Sequence, residues 1–157
     1  MIEKYSDTRD YKLKISYVEV YNEVIKDLLS GKNTALELRE DAVRGIQVAG
    51  VIEVMTTNTK EILNYIHKGN HARTKERTDA NEASSRSHAV LQVTVEHKDK
   101  AHGVSAEISI AKLSLIDLAG SERASNTNNR GIRMVEGANI NRSLLALGNC
   151  INALCEQ

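Results

Sequence analysis

The chain has 157 residues, of which 41% are hydrophobic and 27% charged, with 21 Lys and Arg balancing 21 Asp and Glu. That length is enough for one domain with a real core, and that composition excludes disorder as the default state. The zero formal net charge argues against a surface built wholesale for nucleic acid or anionic lipid, so a charged partner must be met by a local patch.

In chain order, "YKLKISYVEVYNE" alternates Leu13, Ile15 and Tyr17 with Lys12, Lys14 and Ser16, then carries Val18 and Val20. This predicts a strand that becomes more buried along its length. "EVIKDLLSGK" follows with Val24, Ile25, Leu28 and Leu29 at helical spacing and Gly31 as a stop, which predicts a short helix. Between Ala35 and Thr56, "LELRE", "GIQVAG" and "VIEVM" predict short strands that form a small antiparallel subdomain or meander. Asn58 with Glu61 resembles a capping box, and Ile62, Leu63 and Ile66 give the next helix an apolar stripe to Lys68 or beyond.

"ERTDANEASS" is polar and reads as loop. "SHAVLQVTVEHK" and "SAEISIAKLSLID" are strand candidates joined by a polar turn around Gly103. The second of them switches its apolar side from Ile108 and Ile110 to Leu113 and Leu115 and ends apolar on both sides at Ile116. That pattern predicts a central strand of an α/β sheet. In the last segment Ile140, Leu144, Leu147, Ile151 and Leu154 are spaced as on an amphipathic helix, with Asn139, Arg142, Asn149 and Asn152 off the stripe.

No window approaches the roughly 20 apolar residues of a membrane helix, and "MIEKYSDTRD" lacks a signal-peptide core. A soluble, cytosolic protein is the expectation. Cys150 and Cys155, the only cysteines, point in different directions on the last helix and make neither a disulfide framework nor a zinc site. His67 and His71 have helical metal spacing without a third ligand, and read as surface histidines.

Two segments carry chemistry. "DLAGSE", Asp117 to Glu122, follows an apolar strand. An Asp at a strand's carboxyl end can hold a water of a magnesium shell, and a glycine N–H can approach a phosphate without a Cβ in the way. The plainer alternative is a turn closing a strand. "NEASSRSH", Asn81 to His88, precedes the neighbouring strand with the hydroxyls of Ser84 and Ser85 beside Arg86. The hydroxyls suit a magnesium ligand and the positioning of a water, although a polar loop with turn caps would look the same.

These two motifs in this order, with "YVEVYNEVIKDLL" before them and "EGANINRSLLALGNCINAL" after, resemble the kinesin motor domain from about Tyr11 to Leu154. "LELRE", "GIQVAGV" and "SHAVLQVTV" are most similar to the eighth kinesin subfamily. The resemblance implies an α/β fold of the P-loop NTPase type, a central mostly parallel or mixed sheet flanked by helices, incomplete at both ends. It implies ATP and Mg2+ as cofactors and a microtubule, hence tubulin, as partner, with no nucleic acid and no membrane. Dimerisation would run through segments outside this sequence.

Residue by residue, the resemblance makes Asn81 to His88 switch I and Asp117 to Glu122 switch II, with Asn81 among the nucleotide-binding residues. Ser85 would contact magnesium and phosphate, Ser84 would position the lytic water, and Asp117 would hold magnesium through water. Gly120 would meet the γ-phosphate, and Arg86 with Glu122 would form the salt bridge that closes the site. The last helix and "RASNTNNRGIR" would face tubulin, with Arg123, Arg130, Arg133, Asn139, Arg142 and Asn149 as the binding set. Four Arg against the single acid Glu136 between Arg123 and Cys155 fit an acidic partner surface.

The sequence contains no GxxxxGK[ST]: Gly45 and Gly50 have the spacing, but Val51 and Ile52 follow. The family places that loop upstream, so the expectation is the middle of a motor domain, with sheet edges unpaired, apolar faces uncovered and negligible ATP hydrolysis alone. The alternative function is a noncatalytic microtubule-binding module. A GTPase-like switch lacks an NKxD motif.

Overall fold

The computed structural model describes residues 7–43, 45–56, 58–75, 86–100, 107–121 and 132–156. Its long element is β1 (Arg9–Tyr21), whose inward residues Leu13, Ile15 and Tyr17 are buried as their alternation requires. Along one edge β1 pairs antiparallel with β6 (His88–Asp99) over its whole length, from Arg9↔Asp99 to Val20↔His88. Its other edge is shared: β2 (Val24–Asp27) takes Val18 to Tyr21, and β5 (Val54–Thr56) takes Leu13 to Ile15.

Strands β3 (Ala35–Asp41) and β4 (Gly45–Ala49) form a hairpin that extends the sheet from β2. Strand β7 (Ile108–Asp117) pairs with β6 on the far side. The sheet order is β4-β3-β2-β1-β6-β7 with β5 beside β1, and each of these pairings is antiparallel. Helices α1 (Thr59–Lys75) and α2 (Ile132–Cys155) complete the α/β arrangement. Among the described residues, no helix is long and apolar enough to cross a membrane.

The helix expected over "EVIKDLLSGK" is instead the second strand of a hairpin. Asn22 and Glu23 both have positive φ, 49° and 67°, the backbone of a two-residue turn whose twist matches its flanking strands. Pairing Tyr21 with Val24 directs the β-branched Val24 and Ile25 into β2. Asp27 then ends the strand: its Oδ1 accepts from the N–H groups of Leu29 (2.8 Å) and Ser30 (3.1 Å), and its Oδ2 from the Ile52 N–H (2.8 Å). This buried carboxylate turns the chain so that Leu28 and Leu29 enter the core, which is why their spacing mimicked a helix.

Helix α1 packs on β1. Ile62, Tyr65, Ile66 and Ala72 lie against a core of Ile15, Tyr17, Leu28, Leu29, Ala89 and Leu91. A Cβ on Gly69 would stand 2.1 Å from the Tyr17 ring, so only glycine lets the helix come this close. The Tyr17 hydroxyl then donates to Asn70 Oδ1 at 2.7 Å.

The capping box forms with a changed partner. Asn58 Oδ1 accepts the Lys60 N–H at 2.8 Å, as a cap should, while Glu61 bonds the Thr56 hydroxyl, whose oxygen in turn accepts the Asn58 N–H at 3.0 Å.

One expectation of burial is corrected. Strand β7 is not central among the described residues: it ends the sheet order, and Ile108, Ile110, Leu113, Leu115 and Ile116 are each more than half exposed. The apolar stripe of α2 is likewise covered only at its start. Ile140 and Leu144 are half-buried, and exposure then climbs through Leu147 (39%) and Ile151 (51%) to Leu154 (72%). Apolar periodicity reports what a face can bury, not which element covers it.

Candidate functional site

The antiparallel register of β6 and β7 sets Ala89 opposite Asp117. The start of one strand therefore adjoins the end of the other, and the described parts of the two motif segments, Arg86–His88 and Asp117–Ser121, lie at one end of the sheet. Asn81, Ser84 and Ser85 lie outside the described residues, as does Glu122, so the Arg86–Glu122 latch is likewise outside them. Arg86 is half-buried just ahead of β6, and Gly120 is half-buried three residues past Asp117.

What joins the two segments is a residue the sequence reading passed over. Arg73 reaches in from α1 with only 6% of its side chain exposed. Its Nε donates to Ser87 Oγ at 3.2 Å, its Nη2 to the Ser87 carbonyl at 2.8 Å, and its Nη1 to Asp117 Oδ2 at 2.5 Å. Glu19 on β1, equally buried, places Oε1 3.6 Å from the same Nε. A guanidinium has donors in a rigid fork and cannot shed its charge, so it can hold several acceptors at fixed angles.

The contacts differ in environment. Glu19 and Arg73 are both out of water, whereas the Asp117 side chain is 67% exposed. Burying Arg73 thus requires Glu19 as its counter-charge, while Asp117 keeps a solvent-facing carboxylate at the strand end. Magnesium takes such hard oxygen donors, so Asp117 fits a magnesium role.

Both buried charges left a trace in the sequence. Arg73 continues the stripe Ile62, Ile66, Gly69 at spacings of four, three and four, and Glu19 continues the inward series Leu13, Ile15, Tyr17. A charge on each of two apolar faces signals a buried pair.

His88, the last residue of "NEASSRSH", opens β6 and turns its ring toward the other motif. Its Nδ1 accepts the Ala119 N–H at 3.1 Å, and its Nε2 lies 2.8 Å from Ser143 Oγ on α2. Burial lowers the His88 pKa below its ordinary value, the Arg73 charge lowers it further, and Asp117 opposes them.

Of the residues expected to face tubulin, Arg123 and Arg130 lie outside the described residues and Arg133 lies on α2. Asn139 Nδ2 donates to Asn22 Oδ1 at 2.6 Å, and Arg142 is 3.9 Å from Glu23, both in the β1–β2 turn. That ion pair is mostly exposed and weak, so Arg142 can exchange its partner at little cost. Asn149 is exposed.

A sheet whose neighbouring strand ends bring Arg86–His88 and Asp117–Ser121 together, fastened by a buried arginine, belongs to the α/β class whose sites lie at strand ends. The comparisons narrow that class. The model of the kinesin motor domain matches residues 1–157, and the chain belongs to that family.

"Kinesin-like protein KIF19" of Xenopus laevis is 58% identical over 156 residues, which is 99% of this chain and 16% of that protein. "Kinesin-like protein KIN-8B" of Arabidopsis thaliana is 48% identical over 157 residues, covering 100% and 19%. The likeness is thus to kinesin-8 members, and the chain spans under a fifth of the length of these relatives. A solved KIF14 dimer with AMP-PNP in complex with a microtubule superimposes with a TM-score of 0.84 at 36% identity, covering 99% of this chain and 45% of that one.

Proposed function

We propose that this chain is the switch-bearing part of an ATP-driven microtubule motor, acting in the cytoplasm on the microtubule cytoskeleton. The observation that carries this reading is the Arg73 junction, which ties the end of "NEASSRSH" to the start of "DLAGSE" at one end of the sheet. Ser84, Ser85, Arg86, Asp117, Gly120 and Glu122 are the proposed hydrolysis residues, with Asn81 in nucleotide binding. Arg123, Arg130, Arg133, Asn139, Arg142 and Asn149 form the proposed tubulin-facing set. Dimerisation of the full-length protein belongs to the same reading.

In this reading Ser85, and Asp117 through water, would hold Mg2+, which would supply charge neutralisation at the phosphates. The chain's own residues do the positioning on which phosphoryl transfer to water depends. Arg73 fixes the Asp117 carboxylate and the Ser87 backbone relative to each other, so that these two anchor points need no reorganisation at the moment of reaction. Ser84 orients the attacking water, and the Gly120 N–H, unobstructed by a Cβ, reports the γ-phosphate to the segment before α2. Arg86 and Glu122 close the site, and shielding from water strengthens their attraction.

Glu122→Ala in a motor domain completed by its P-loop tests the assignment. Nucleotide binding should be retained and microtubule-stimulated turnover lost. Normal stimulated turnover would remove Glu122 from the latch, whereas microtubule binding without any turnover in the parent would favour a noncatalytic module. The 157 residues alone, carrying no GxxxxGK[ST], should hydrolyse ATP negligibly.

A further inference from the structure

We propose that His88 is a positioning residue that links the "DLAGSE" backbone to helix α2 through one neutral imidazole, so that displacement of the segment is passed to the helix. The inference rests on the motor reading for its biological meaning, but its geometry stands apart from it.

The hydrogen bonds define the tautomer. Ser143 has one hydroxyl proton, and it is used: Ser143 Oγ donates to the Ile140 carbonyl at 2.7 Å, one helical turn back. Facing His88 Nε2 at 2.8 Å, that oxygen can only accept, so Nε2 carries the ring proton. At the other side Nδ1 meets a backbone N–H, that of Ala119 at 3.1 Å, and must be bare to accept it. The Ala119 end requires the Nε2–H form, and a Ser143 hydroxyl that donates to Ile140 accords with it. The depressed pKa, set by burial and then by the Arg73 charge, agrees with a neutral ring.

The placement makes the ring a mechanical joint. Ala119 is buried and lies between Asp117, held by Arg73, and Gly120, the proposed phosphate contact. Ser143 lies where α2 passes from half-buried Ile140 and Leu144 to its exposed end. The other described side-chain ties of α2, Asn139 to Asn22 and Arg142 to Glu23, go to the β1–β2 turn, away from the "DLAGSE" segment in sequence. An imidazole has no torsion between its two nitrogens, so a shift of the Ala119 N–H must either break its bond or swing Nε2 against Ser143.

The experiment uses the motor domain completed by its flanking segments and compares the parent with His88→Asn, His88→Gln and Ser143→Ala. Asn offers an oxygen near the Nδ1 position and keeps the Ala119 half; Gln offers a nitrogen near Nε2 and keeps the Ser143 half. Each variant cuts one hydrogen bond, so the ratio of microtubule-stimulated to unstimulated ATP turnover should fall about two- to tenfold. His88→Asn combined with Ser143→Ala should be no worse than either alone, because both break one link. Two-bond 1H–15N NMR should show a protonated Nε2 and a bare Nδ1 in the parent.

A reversed or doubly protonated ring at neutral pH overturns the proposal, as does an unchanged ratio in exposed, fold-sparing Ser143→Ala. A parent with no microtubule stimulation instead fails the motor reading, and the NMR tautomer then decides the geometry by itself.

Discussion

The two halves of this sheet are built alike in sequence and unlike in space. Around β1, β6 and α1, apolar residues are buried, glycine permits a close helix, and even the charges Glu19 and Arg73 are out of water. Around β7 and α2, residues of the same types are exposed: Leu115 is 53% exposed where Ile15 is 0%. The first half buries its apolar faces within this chain, whereas the second presents apolar faces that these 157 residues leave exposed.

The largest break in that contrast comes from the buried junction. Arg73→Ala should destabilise a complete motor domain by about 3–5 kcal/mol, because Glu19 would be left as an uncompensated buried charge. Urea unfolding measures it, and a loss below about 1 kcal/mol would show that Glu19 finds water or another donor. Next is a matched pair of truncations. Ile15→Ala should cost about 2–5 kcal/mol, while Leu115→Ala in the 157-residue chain should stay within about 0.5 kcal/mol, as exposed sites do. Equal losses would mean that β7 is covered in solution.

The smallest effect is in pH. The folded-state pKa of His88 lies below its unfolded value of 6.5, so its contribution to stability is present above that value. It is lost as pH falls below 6.5 toward the folded pKa, since the unfolded chain then binds the proton more readily. Burial and Arg73 set the direction against Asp117. His88→Asn should flatten this part of the stability profile, measured by unfolding on either side of the transition.

Much of the fold was legible before any coordinates. The alternation of Leu13, Ile15 and Tyr17 gave β1 and its core face, the two long apolar runs gave β6 and β7, and Ile62 with Ile66 gave the buried side of α1. The β1–β2 hairpin was missed because four apolar residues at spacings of one, three and one fit a helix. The deciding signal was Asn22, tolerant of positive φ, ahead of two β-branched residues. In the candidate site, the two motif segments were singled out from the sequence, but Arg73 and Glu19 were not, although each interrupts an apolar series at the expected interval.

By itself, the sequence determined which residues could form strands and helices, which segments could meet a phosphate, and the family to which they belong. Those properties are local, written in periodicity and in the order of side-chain chemistry along the chain. Only the tertiary structure decided which charges meet, that Asp117 answers to Arg73, and that one imidazole spans from Ala119 to Ser143. Such pairings join residues 31 to 55 positions apart in sequence, and only the packing of the two helices against the registered strands β1, β6 and β7 brings them within bonding distance.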